Sequence, residues 1–114
     1  MGRWAHLFLQ KTPDVFVLST FLEWHSIIRF LLYIITSRKI NVCLIAHSEI
    51  GYMALPLLKA LAPSVLFLDM VHMITPSWKN GGYAHYSAMN SDVLDRTFAS
   101  SKHVMEWLAN HPRR

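Results

Sequence analysis

The chain has 114 residues, 53% of them hydrophobic and 16% charged, with a formal net charge of +4. That length supports one modest domain with a core of its own, and that composition excludes a disordered chain. The 11 basic residues are scattered from Arg3 to Arg114, with no interleaving of basic and aromatic side chains, so the sequence supports no nucleic-acid surface.

The first residues, MGRWAHLFLQKTPD, lack the long apolar region of a signal peptide, and His6 stands where a myristoylation signal needs Ser or Thr. A Thr-Pro-Asp turn then leads into Val15–Leu18, which reads as a first strand. Trp24, Ile27, Ile28, Leu31, Leu32 and Ile35 follow at the spacing of a helix buried on one face, with Arg38 and Lys39 expected in its last turn. Glu23, His25 and Arg29 interrupt this greasy stretch. Its uninterrupted run, Phe30 to Ile35, is too short to cross a bilayer.

Ile40–His47 is continuously apolar and suits a strand buried on both faces. It contains the only cysteine, Cys43, which excludes an internal disulfide and reads as a reduced, buried thiol of a cytoplasmic protein. Ser48 is a candidate N-cap for a helix that tolerates Pro56 near its first turns and ends at Pro63. A second buried strand, SVLFLDMVHM, carries Leu66 in its core. A long polar loop follows, then a weaker strand in DRTFASS and a last helix in SKHVMEWLAN capped by Ser100 or Ser101. The order β-α-β-α-β-loop-β-α predicts an α/β, Rossmann-like, three-layer domain spanning residues 1–114, with a parallel sheet between helices.

Ligands of such sheets bind beyond the carboxyl ends of the strands. Three loops gather there: Ser19-Thr20, His47 to Tyr52, and the long loop after Asp69. His72 and His47 sit at or just past strand ends, where an imidazole can donate, accept or change charge. The alternative is a histidine satisfied by a backbone carbonyl. Ser48 and Gly51 could present backbone N–H groups to an anion, or Ser48 could serve only as a cap. Gly81-Gly82 permits backbone angles closed to other residues, in a phosphate cradle, a flexible acceptor loop or a plain turn. The seven histidines show no H-E-x-x-H or H-x-H spacing, so no metal site is expected. Ser48, His72 and Asp69 could be drawn as a hydrolytic triad, but the G-x-S-x-G elbow is missing. Trp78 could be a packing residue or a substrate platform.

The ordered series HSEIGY, LPxLK, DxxH, GGYxxS and LD…SSxxV, spread between Trp4 and Leu108, resembles glycosyltransferases of the GT-B fold in the family 4 group. More narrowly, it is similar to the N-terminal, acceptor-side domain of the large bacterial members. The resemblance implies that His72 is the catalytic histidine beside the transferred sugar and its diphosphate. It implies that His47, Ser48, Gly51, Gly81, Gly82, Tyr83, Ser87 and Ser101 belong to the acceptor side of the cleft. It also implies a nucleotide diphosphate sugar as donor, a sugar or glycan hydroxyl as acceptor, retention of configuration and no metal or other cofactor.

The only glutamates, Glu23, Glu49 and Glu106, do not form the E-x7-E signature of the family's donor domain. The expectation is therefore a partial domain, inactive alone, whose exposed interface would self-associate or meet a missing C-terminal domain. The competing expectation is a free-standing Rossmann-like module that binds a nucleotide or phosphate without chemistry. The expected location is cytoplasmic, at most peripheral to the inner membrane face.

Overall fold

A computed structural model describes residues 23–111. The strand expected at Val15–Leu18 and the Ser19-Thr20 loop lie outside the described residues. The described order is α1 (Trp24–Ser37), β1 (Val42–Ala46), α2 (Glu49–Leu61), β2 (Leu66–Val71), α3 (Tyr83–Met89), β3 (Arg96–Ala99) and α4 (Lys102–Ala109). The three strands form an open parallel sheet in the order β1-β2-β3. The chain is thus α/β. No helix among the described residues is long and apolar enough to cross a membrane.

Each helix boundary has a local cause. α1 buries Ile27, Ile28 and Ile35, the stripe that its spacing predicts. It stops before Arg38 and Lys39 instead of including them. Lys39 adopts a left-handed φ of 53°, and the Ile40 N–H donates back to the Ile35 carbonyl at 2.9 Å. That back-bond is a Schellman closure, with Ile40 and Ile35 sharing the core beneath it. α2 begins at Ser48, whose Oγ accepts from the Gly51 N–H at 2.9 Å, and it runs through Pro56 past its midpoint rather than in its first turns. α4 begins at Ser101, whose Oγ accepts from the Val104 N–H at 3.2 Å.

The long loop is not all loop. Parallel neighbours need a crossover, and α3 supplies the one between β2 and β3. It is short and starts on a glycine pair, so it carries too few turns to announce itself by periodicity.

The helices pack on one face of the sheet. Ile45, Phe67, Asp69 and Val71 point into that layer and are buried. Tyr52, Leu55 and Leu58 of α2 and Ile28 and Ile35 of α1 enclose Phe67. Ala84, Ala88, Val104 and Leu108 of α3 and α4 enclose Val71. On the opposite face Val42, Leu44, Leu66 and Phe98 remain about half exposed. The expected second helix layer is therefore not built by the described residues, and Leu66 is not a core residue. Side chains alternate across a strand, so Leu66 points away from the layer that buries Phe67.

Candidate functional site

The carboxyl ends of β1 and β2 bring together what the sequence separates by 25 residues. His47 directly follows β1 and His72 directly follows β2. Their ring centroids lie 5.0 Å apart and both side chains are exposed. The Tyr83 ring, at the start of α3, stands 5.1 Å from His47. Two exposed imidazoles and one phenol therefore share a small patch beyond the sheet edge.

The patch is held from several directions. His47 has a left-handed φ of 51°, a conformation uncommon for a residue with a side chain and one that accumulates at functional loops. The Ser100 Oγ donates to the His72 carbonyl at 3.0 Å, and the Ser100 N–H donates to Val71 at 3.0 Å, so β3 fixes the segment that carries His72. Trp78 meets Tyr83 edge-on at 5.2 Å. A Cβ placed on Gly82 would come within 3.1 Å of the Trp78 ring and of the Thr75 Cβ, and Gly82 has a φ of 70°. Glycine is therefore what lets the chain turn into α3 at this point.

Behind the patch sits a buried polar pair. The Tyr52 hydroxyl donates to Asp69 Oδ2 at 2.7 Å, and Asp69 is fully buried. Asp69 Oδ1 has no hydrogen-bond partner among the described residues. Tyr52 stacks on Tyr86 at 5.8 Å and on Tyr83 at 6.4 Å. The carboxylate thus anchors a tyrosine stack whose outermost ring is the one at the patch.

The other predicted residues have plainer surroundings. Ser48 and Ser101 spend their hydroxyls on helix caps. Gly51 lies inside α2, where a Cβ would crowd Ile45 and Ser48 at 3.1 Å. Ser87 is fully buried, 3.5 Å from the Thr97 hydroxyl. Gly81, with a φ of 127°, packs against Trp107 and forms the turn ahead of Tyr83. Asp69 bonds Tyr52, and neither Ser48 nor His72 makes a triad contact with it. The sequence offers Ser100 as a candidate cap and Tyr52 as a loop residue, and it missed their support of the site, because each bonds a residue far along the chain and no local spacing marks it.

Charge near the site is modest. At the opposite end of the sheet Asp95 accepts from the Phe67 N–H at 2.8 Å and from Lys59 Nζ at 3.1 Å, and these bonds hold its carboxyl below the ordinary range. Burial pushes the Cys43 thiol up, so it stays neutral and weakly nucleophilic near pH 7.

No known protein family, curated protein or solved structure matches this chain. The patch itself offers exposed ring nitrogens that can donate to or accept from hydroxyl or phosphoryl oxygens, beside an aromatic ring.

Proposed function

We propose that this chain forms the acceptor-side part of a GT-B glycosyltransferase that moves a sugar from a nucleotide diphosphate sugar to a hydroxyl acceptor. The observation that carries the reading is the meeting of His47, His72 and Tyr83 beyond the carboxyl ends of two adjacent parallel strands. In this reading His72 faces the transferred sugar and its diphosphate. His47 and Tyr83 orient the acceptor, and Gly81 and Gly82 shape the wall. Transfer itself needs a second, donor-binding domain, and the chain alone is inactive.

Among the described residues one apolar face of the sheet is about half exposed, which supports a part of a larger assembly over a free-standing module, because parallel sheets function with both faces covered. The start of α2 also speaks against a phosphate module. Its cap hydroxyl already serves Gly51, and Glu49 places a negative charge in the first turn.

The test is a set of backbone amide spectra of the full chain, titrated with free hexoses and with uridine, guanosine and adenosine diphosphate sugars. Shifts centred on His47, His72 and Tyr83 and abolished by His72→Ala are expected, without nucleotide release. Shifts centred on Ser48 to Gly51 with plain nucleoside diphosphates would establish the binding module instead. Turnover by the chain alone would overturn the division of labour.

A further inference from the structure

Away from the patch, a second pair of histidines meets. His85 Nδ1 of α3 lies 3.2 Å from His111 Nε2, just past α4. The His111 ring also packs on Trp107 at 5.2 Å. Trp107 in turn covers Gly81, where a Cβ would come within 2.9 Å of the indole. One continuous contact path therefore runs from the end of α4 to the glycine turn and to Tyr83, two residues before His85.

Two ring nitrogens at this distance form a hydrogen bond only if one carries a proton and the other presents a lone pair. At least one ring must then be neutral. Imidazoles in general take up a second proton around pH 6.5. With both rings charged, the lone pair is gone and two like charges face each other.

We infer that the His85–His111 pair is a proton-operated latch: it clamps α4 and Trp107 against the Gly81-Gly82 turn when one ring is neutral, and releases them when both rings are protonated. Its histidines are positioning residues for Tyr83. The latch stands whether or not the chain transfers sugars.

Among the described residues, His47 and His72 also lie on the far side of Tyr83, so the test separates their response from that of the pair by substitution. α3 carries no charged side chain, only Tyr83 and Tyr86 beside His85. On α4, Lys102 and Glu106 pair with each other at 3.8 Å, and His103 is exposed. Lys79, ahead of the turn, is exposed, and Asp95 belongs to Lys59.

The test uses the full chain and amide hydrogen exchange, corrected for the intrinsic effect of pH, at about pH 7.5 and about pH 5.5, on either side of the ordinary imidazole value. Acid should raise the opening of Gly81, Gly82 and Trp107 on the order of tenfold, the equivalent of one lost hydrogen bond. His85→Gln and His111→Gln should each flatten that response, while His103→Gln keeps it. Equal responses in all three variants, or no acid response in the parent, would overturn the latch. Should a variant fail to fold, imidazole nitrogen spectra of the parent decide the question. Double protonation in step with the exchange change supports the latch, and double protonation without it removes the latch.

Discussion

The two faces of the sheet are made from the same strands and differ completely in what they demand. The helix side buries Ile45, Phe67, Asp69 and Val71, while the open side leaves Val42, Leu44, Leu66 and Phe98 about half exposed. Both sets are largely apolar, so residue type alone does not say which face is packed. What separates them is parity along the strand and the helices available to cover it. The difference teaches that a continuous apolar run marks a strand able to be buried twice, without showing that it is. It also divides the energetics: among the described residues the buried core lies on the helix side.

The largest test of that division is a matched pair. Leu55 of α2 is fully buried against Phe67. Leu55→Ala should cost about 2–5 kcal/mol in urea unfolding, from lost burial and the cavity left behind. Leu44→Ala, at 56% exposure, should cost well under half of that. Equal losses would mean that the open face is packed after all.

Next in size is the polar anchor within the packed face. Tyr52→Phe keeps the ring and removes the one side-chain hydrogen bond that Asp69 makes among the described residues, so it should cost about 1–3 kcal/mol. Tyr83 should shift with it, since the Tyr52 ring supports it. A smaller cost accompanied by no change at Tyr83 would show that the stack holds itself. Smaller again, Ser101→Ala should cost about 1 kcal/mol by removing the α4 cap, read from the melting temperature.

Much of the fold was legible because its signals are local. The α1 stripe, the Ser48 cap, and the strand containing Phe67 each follow from neighbours in sequence, whereas the choice of Ser101 over Ser100 as the α4 cap does not. α3 was not, because the need for it comes from the parallel pairing of β2 with β3, a contact across 28 residues such as Leu68 with Arg96. Lys39 ended α1 early because a left-handed residue closes a helix whatever charge it carries. At the site, strand ends pointed to His47 and His72 one at a time. Their meeting, and the support from Ser100 and Tyr52, depend on register, which no spacing encodes.

Acid sharpens the comparison at the foot of the packed face. Asp95 ties the start of β3 to the Phe67 N–H and to Lys59. Its carboxyl sits below the ordinary range in the folded chain, because those bonds favour the charged form. The stabilisation is therefore complete above the ordinary carboxyl value, roughly 3.9, and is lost as pH falls through the lower folded one. Urea midpoints of the parent should decline in that window. Those of Asp95→Asn should start lower and lose this part of the decline. Parallel curves for the two proteins would remove Asp95 from the account.

The smallest expected effect tests the open face most directly. A polar substitution there removes apolar surface that is already half in water, so the usual penalty for burying a polar group does not arise. Leu44→Lys, with the side chain free to extend into solvent, should leave the unfolding midpoint within about 0.5 kcal/mol of the parent. The same change on the helix side, Phe67→Lys, would bury an ammonium against Tyr52 and Leu55 and should prevent folding. A large loss in Leu44→Lys would mean that something covers Leu44 in solution. Sedimentation of the parent would then tell a second copy, which makes the loss depend on concentration, from a cover within the chain, which does not.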